Sequence, residues 1–104
     1  MTTYHVIGRN KDEKQVFHEF AESLEEARQI ACDYVNNYYR NLDALILSES
    51  FKYLGMVVLN LDDDITGISP HYLYLFIPDK SKMAYGINYN TGKLTKKPVG
   101  KQWW

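Results

Sequence analysis

One segment of the chain has the pattern of an amphipathic helix, and segments that favour strands lie on both sides of it. Ser23 and Glu26 form a capping box, in which each side chain accepts a hydrogen bond from the other residue's free backbone N–H. Apolar residues then recur at steps of three and four: Leu24, Ala27, Ile30, Ala31, Tyr34, Val35 and Tyr38. We predict a helix from about Leu24 to Tyr39.

The segment before this helix favours a β-hairpin. Residues 4–7 and 15–20 are rich in β-branched and aromatic side chains, which suit strands. Residues 8–13 between them read Gly-Arg-Asn-Lys-Asp-Glu, which is typical of a turn. We therefore expect two antiparallel strands at the start of the domain.

Residues 41–54 are compatible with two structures. Ala44 to Leu47 form a continuous apolar run, as in a buried strand. Ala44, Leu47, Phe51 and Leu54 also have helical spacing, with Gly55 placed to end a helix. We favour a strand over 44–49 and keep the helix as the alternative.

The remaining segments favour strands over 56–61, 72–77 and 83–89. Both faces of 72–77 are apolar or aromatic, which is typical of a strand that is central or covered on both sides. Asn90-Thr91-Gly92 is typical of a turn that ends the last of these strands.

The predicted fold class is therefore α+β. It has an N-terminal β-hairpin, one long amphipathic helix (about 24–39), and then three or four mainly antiparallel strands in a sheet with the helix packed on one face. The length of 104 residues suits a single domain over 1–104. Residues 95–104 are expected to form an extended basic and aromatic tail.

Charge divides the chain into two parts. Residues 1–79 hold all thirteen acidic residues and six basic ones, whereas residues 80–104 hold six lysines and no acidic residue. Such asymmetry can indicate an interaction segment. It can equally serve to neutralise the acidic body of the same chain or of a second copy.

The aromatic content also points to a surface that binds protein. The chain has nine Tyr, four Phe and two Trp, and two exposed indoles at the C-terminus would form an association-prone patch. We predict a small non-enzymatic interaction or accessory protein that binds a protein partner or a second copy of itself as a homodimer. The candidate interaction surface comprises Lys93, Lys96, Lys97, Lys101, Trp103, Trp104, Tyr85 and Tyr89.

The same lysines and aromatic residues support an alternative, the binding of nucleic acid or another polyanion. Basic side chains can follow a phosphate backbone while aromatic rings stack on bases. Arginine, the preferred reader of bases, is absent beyond Arg40. We therefore rank this alternative below protein binding.

Two patterns resemble metal sites but are incomplete. Asp62, Asp64, Thr66 and Gly67 match the first half of a calcium loop, but Leu73 stands where the bidentate Glu should be. His5 and His18 would lie opposite each other in the hairpin, yet zinc needs three or four ligands. We expect an acidic turn and ordinary sheet histidines, and therefore no metal site.

A catalytic role is also not predicted. Cys32 lies in the middle of the predicted helix, where a thiol behaves as a small apolar group and lacks the features that lower its pKa. No Ser-His-Asp spacing and no phosphate-binding glycine loop is present. We predict no catalytic residues and no cofactor.

The expected location is the cytoplasm. A single cysteine cannot form an intramolecular disulfide, and the first residues lack the pattern of a signal peptide. The longest apolar stretch, 54–59, is far shorter than the roughly 20 residues of a membrane helix. We therefore expect no membrane association.

Part of the chain resembles a known family. Residues 73–79 (Leu-Tyr-Leu-Phe-Ile-Pro-Asp) and 83–94, with the Asn-Thr-Gly-Lys turn, look like the terminal hairpin of PepSY-type domains. Residues 23–31 are similar to the helix that such domains carry. The overlap covers about a third of the chain, and hairpin and turn chemistry explains it equally well. We therefore assign no family from it.

Overall fold

The fold is α+β, as predicted. The computed structural model describes residues 2–37, 39–61, 68–69, 71–78 and 83–101. The elements in chain order are β1 (Tyr4–Asn10), β2 (Gln15–Ala21), α1 (Leu24–Val35), β3 (Asn41–Leu47), β4 (Tyr53–Leu59), β5 (Tyr74–Ile77), β6 (Met83–Gly86) and β7 (Gly100–Lys101). One helix packs on one antiparallel sheet, and the domain begins with a hairpin.

The strands form one sheet in the order β2-β1-β3-β4-β5-β6-β7. Every neighbouring pair is antiparallel. Among the residues described, five strands follow the helix, one more than the upper number predicted, and the additional strand is the two-residue β7. Because β3 pairs with β1, the hairpin is joined to the rest of the sheet and β2 is left at its edge.

The helix begins where the sequence predicts and ends four residues earlier. Ser23 Oγ accepts a hydrogen bond from the backbone N–H of Glu26, and Glu26 Oε1 accepts one from the N–H of Glu22. At the other end Asn36 is the cap, and Asn41 Nδ2 donates to the carbonyl of Tyr34 at 2.5 Å. Asparagine is a weak helix former that bonds readily to backbone, so it competes with a further helical turn.

The ambiguous segment 41–54 contains a strand, β3, and not a helix. Residues 48–52 form a tight loop, in which the N–H of Phe51 donates to the carbonyl of Ser48 at 2.8 Å. The N–H of Lys52 donates to Ser48 Oγ at 3.0 Å. β4 therefore begins at Tyr53, three residues before the predicted strand.

Two hydrophobic cores lie on opposite faces of the sheet. On one face, Ala27, Ala31 and Val35 of α1 pack against Val6, Ala44, Ile46, Val57 and Phe76. On the other face, Leu75, Ile77 and Ala84 pack with Ile68, Tyr72 and Val99. β5 contributes to both cores because successive residues of a strand point to opposite faces, which confirms that both faces of this strand are covered.

A turn over residues 88–92 docks on the helix. Arg28 Nη1 donates to the carbonyl of Gly92 at 3.0 Å, and Gln29 Nε2 donates to the carbonyl of Asn90 at 2.8 Å. Gly92 has a φ of 73°, and a Cβ at this position would lie 2.0 Å from the carbonyl oxygen of Glu25. Only glycine fits both this conformation and this approach.

After the turn the chain returns along β6. Leu94 forms a bridge with Ile87, and the N–H of Val99 donates to the carbonyl of Ala84 at 2.8 Å. Gly100 then pairs with Ala84. Much of the segment 95–101 is therefore ordered against the sheet, while residues 102–104 lie outside the described part of the chain.

Candidate protein-binding face

The face of the sheet that does not contact α1 can be followed strand by strand. His18, Ile7, Leu45, Met56 and Ile77 are consecutive cross-strand partners from β2 to β5, so they lie on one face. Towards β5 this face belongs to the second core. Towards β2 the same face carries aromatic rings, most of which are exposed in the described part of the structure.

Four of these rings form one cluster, which we call the aromatic cluster: His5, His18, Phe20 and Phe51. The ring of His5 stacks on Phe51 with centroids 4.0 Å apart and planes tilted by 18°. Its centroid is also 5.1 Å from that of His18 and 5.3 Å from that of Phe20. His5 is buried at the centre of the cluster. Phe20 is 59% exposed and Phe51 is 60% exposed.

Phe51 reaches this cluster in an unusual backbone conformation. Its φ is 66°, a left-handed value that a bulky side chain rarely adopts and that costs free energy. The loop bonds from Ser48 to Phe51 and Lys52 hold it there. Such a conformation persists only where the surrounding structure holds it, as these loop bonds do.

His5 and His18 form a direct hydrogen bond, although their strand register differs from the prediction. His18 lies opposite Ile7, and His5 lies opposite Phe20, so the two histidines are diagonal neighbours on the same face. The distance from His5 Nδ1 to His18 Nε2 is 2.9 Å, and His5 Nε2 is 3.3 Å from the carbonyl of Glu49. Since a carbonyl only accepts, His5 Nε2 donates to it, and in the neutral His5 ring Nδ1 then accepts from His18 Nε2.

The edge strand β2 borders the aromatic cluster. Its outer edge pairs with no strand among the described residues. Over its seven residues β2 has one charge, Glu19, and no proline, whereas edge strands are commonly protected by such residues. Phe20 and Val16 are 59% and 57% exposed. This is an edge that another strand can join.

A β-bulge interrupts β2 near its start. Gly8 pairs with Phe17 and Arg9 pairs with Gln15, so Val16 is the extra residue. An open hollow of about 280 Å³ lies there, lined by Ile7, Gln15, Val16, Phe17 and His18. The regular part of the edge therefore runs from Phe17 to Ala21.

The residues predicted for the C-terminal surface are described only in part, and its two tyrosines lie against other parts of the domain. Tyr89 stacks on Tyr74 with centroids 5.8 Å apart, and its hydroxyl donates to Asp33 of the helix. That hydrogen bond is the main reason why the pKa of Tyr89 is raised. Tyr85 is half-buried opposite Phe76. Both tyrosines therefore contribute to the fold of the domain.

The basic residues of that surface are exposed where the structure describes them. Lys93, Lys96 and Lys97 form no ion pair with the acidic residues of the described ranges. Nothing is described of the side chain of Lys101 or of Trp103 and Trp104, so their place in the interaction surface stays a prediction. The Asp62–Gly67 acidic loop likewise lies outside the described residues.

Cys32 has the environment of a structural thiol. It is fully buried in the core between helix and sheet, and this burial raises the pKa of its thiol from 9.0 to about 12. A thiol with such a pKa is not a nucleophile at neutral pH. This agrees with the interpretation of Cys32 as a small apolar side chain.

No protein-family model, curated protein or solved structure matches this chain significantly. In the described part of the chain, no helix is long and apolar enough to cross a membrane. Function must therefore be inferred from the surface itself.

The sequence reasoning missed the edge of β2. An indication was present, because Val16, His18 and Phe20 alternate with Phe17, so both faces of the strand carry apolar or aromatic side chains. An edge strand with one covered face should be polar on the other. What the pattern could not show was that β2 lies at the edge.

Proposed function

We propose that this protein is a non-enzymatic interaction module that forms a homodimer through β2. Two copies of β2 pair antiparallel about a two-fold axis, and the two sheets become one continuous sheet. Strand addition of this kind supplies backbone hydrogen bonds, while the side chains beside the edge give specificity. The observation that carries the proposal is the weakly charged edge of β2, which pairs with no strand in the described part of the chain and has exposed Phe20 next to it.

Charge supports a second copy as the occupant. The start of β2 follows an exposed lysine, Lys14, and its end is followed by an exposed glutamate, Glu22. Antiparallel pairing of two identical strands places the lysine end of each strand beside the glutamate end of the other. The dimer therefore contains two equivalent lysine–glutamate contacts. The edge is therefore complementary to itself.

The side chains also favour one register. A two-fold axis at His18 overlaps the whole of Gln15–Ala21 with the partner strand, and it brings Lys14, which lies beyond the bulge, near Glu22 of the partner. An axis at Glu19 would place two like charges directly opposite each other, which is destabilising. An axis at Phe17 would centre the pairing next to the bulge at Val16, where regular pairing is interrupted. We therefore place the axis at His18.

The first test is the mass in solution. We expect a dimer by light scattering or sedimentation over a concentration series. Phe20→Lys should shift the equilibrium towards the monomer, whereas Leu61→Lys should not, because Leu61 is similarly exposed (56%) but distant in sequence from the edge. A monomer at every concentration up to about 1 mM, where even weak complexes form, would refute the proposal.

A charge exchange tests the register separately. Lys14→Glu and Glu22→Lys should each weaken the dimer, because each change places like charges opposite one another. The double variant should restore association to near the original affinity. If the double variant is as weak as the single variants, the proposed register is wrong.

The C-terminal tryptophans are the alternative surface for the dimer, and a deletion distinguishes them from β2. Deletion of residues 102–104 should leave the dimer intact if β2 carries the association. If the deletion abolishes the dimer while Phe20→Lys does not, the association depends on the tryptophans and the β2 proposal fails.

Polyanion binding is the second candidate, favoured by the exposed Lys93, Lys96 and Lys97, which form no ion pair with any acidic residue that the structure describes. Phosphate contacts would produce a steep loss of affinity with salt. Absence of any retardation of DNA or RNA at low salt would dismiss this candidate. We also propose a cytoplasmic location, supported by the buried, unpaired thiol of Cys32.

A further inference from the structure

We propose that His5 and His18 chelate a divalent transition-metal ion, with Cu²⁺ bound more tightly than Ni²⁺ or Zn²⁺. The site lies within one chain and does not depend on the homodimer. No group of three or more His, Cys, Asp or Glu side chains suited to a metal occurs among the described residues. The chain therefore supplies two ligands, and water completes the coordination.

The two imidazole nitrogens are close enough to share one ion. His5 Nδ1 and His18 Nε2 are 2.9 Å apart and joined by a hydrogen bond. Two imidazole nitrogens on one metal, each at about 2.0–2.1 Å, are about 2.9–3.3 Å apart, so an ion can replace the hydrogen bond once the two rings turn their lone pairs towards it. Imidazole is a ligand for Cu²⁺, Ni²⁺ and Zn²⁺, and Cu²⁺ leads the divalent series in affinity.

The hydrogen bond from His5 Nε2 to the carbonyl of Glu49 prepares His5 as a ligand. Metal-binding histidines commonly donate the other ring N–H to a backbone carbonyl or carboxylate, which fixes the tautomer and the ring orientation. Here this bond leaves the lone pair of His5 Nδ1 directed at His18. Stacking against Phe51 further restricts the ring of His5.

His18 completes the pair through a change of tautomer. In the hydrogen-bonded state its Nε2 proton is donated to His5 Nδ1. When a metal binds, the proton of the neutral His18 ring resides on Nδ1, and the Nε2 lone pair is released for the metal. Both rings stay neutral, and no net proton is gained or lost. Because His18 is exposed, water can reach the remaining positions of the metal.

The experiment uses the full chain without a histidine tag, after treatment with a chelator. Titration with Cu²⁺ should give one ion bound per chain, and the electron paramagnetic resonance spectrum should show coupling to two nitrogens. His18→Ala should lower the affinity at least tenfold. His71→Ala, the matched control at another exposed histidine, should leave it unchanged.

A stability measurement gives an independent readout. An ion that binds only the folded state raises the thermal midpoint, so Cu²⁺ should raise that of the original chain and of His71→Ala but not that of His18→Ala. Circular dichroism confirms that each variant is folded. Equal Cu²⁺ affinity in the original chain and His18→Ala would overturn the proposal.

Two other outcomes also overturn it. One ion per two chains would indicate a site formed by His18 and the partner's His18, not by the pair within one chain. Tighter binding of Zn²⁺ than of Cu²⁺ would contradict the affinity order expected for imidazole ligands. The mass is measured in the same samples, so that failure of the dimer proposed above and failure of the metal site are told apart.

Discussion

Arg9 of β1 and Asp43 of β3 form a bidentate ion pair across neighbouring strands. Arg9 Nε lies 2.7 Å from Asp43 Oδ1, and Arg9 Nη2 lies 2.5 Å from Asp43 Oδ2. The side chain of Asp43 is only 5% exposed and that of Arg9 27%. The hydrogen bonds to Asp43 are the main reason why the pKa of Arg9 is raised. This pair joins the hairpin to the rest of the sheet.

Asp43→Asn should destabilise the protein. The substitution removes one partner of a nearly buried pair and leaves the guanidinium of Arg9 without its counter-charge. Because Arg9 is partly exposed, we expect a loss of about 2 kcal/mol, at the lower end for buried pairs. Chemical denaturation measures this loss. Glu13→Gln is the control, since Glu13 lies near Arg9 but is exposed, and equal losses for the two variants would contradict the assignment.

Gly92→Ala should detach the 88–92 turn from the helix. The new Cβ would lie 2.0 Å from the backbone of Glu25, and the left-handed φ of 73° adds strain. We expect a loss of about 2 kcal/mol or more in the free energy of unfolding. Lys93→Ala, next in the chain and exposed, should change it by less than about 0.5 kcal/mol. A similar stability for the two variants would show that the approach of Gly92 to the helix is not required.

Tyr34→Phe should leave stability unchanged or increase it. The hydroxyl of Tyr34 is buried and has no hydrogen-bond partner among the described residues, so its removal relieves a desolvation cost. Tyr74→Phe is the matched comparison, because the Tyr74 hydroxyl donates to Asn36 Oδ1 at 3.0 Å, and its loss should cost about 0.5–1 kcal/mol. Thermal denaturation of both variants measures the two changes in stability. A larger loss for Tyr34→Phe than for Tyr74→Phe would contradict the prediction.

Stability should fall as the pH rises above about 9. Burial raises the pKa of Cys32 from 9.0 to about 12, so the unfolded chain releases this proton at a lower pH than the folded chain. The stabilisation is fully present below pH 9 and is lost between pH 9 and 12. The raised pKa values of Tyr34 and Tyr74, also due mainly to burial, add to the same trend from about pH 10.

Denaturation at several alkaline pH values measures this dependence, and Cys32→Ala should make it shallower. In the folded protein at pH 8 the thiol should also resist alkylation, and it should react once denaturant is added. Rapid alkylation of the folded chain would show that Cys32 is accessible.

The start of the helix was predictable and its end was not. The hydrogen bonds that the Ser23 and Glu26 side chains accept are local, so the capping pattern located the N-terminus. The C-terminus depends on Asn41, which lies in β3 and bonds back to Tyr34. Such a contact exists only once the strand is in place, so periodicity over residues 24–39 extended the helix too far.

The candidate site was even less predictable. The alternation of β2 indicated apolar side chains on both faces, but the sequence reasoning located the interaction surface at the C-terminal lysines and aromatic residues. In the structure Tyr89 attaches a turn to the helix through Asp33 and is still 44% exposed, and the predicted C-terminal surface as a whole stays a prediction. Whether an aromatic side chain supports the fold or faces a partner depends on what the chain places beside it, and composition alone does not contain that information.

The sequence by itself determined the local elements of this protein: a hairpin, a helix with a defined start, and further strands. These follow from hydrogen bonds and side-chain periodicity within a few residues of one another. Only the tertiary structure decided that β3 pairs with β1, which leaves β2 at the edge, exposes Phe20 and holds His5 against His18 and Phe51. The physical reason is that strand order depends on contacts between residues far apart in the chain, and an alternating pattern is the same for a central strand and for an edge strand.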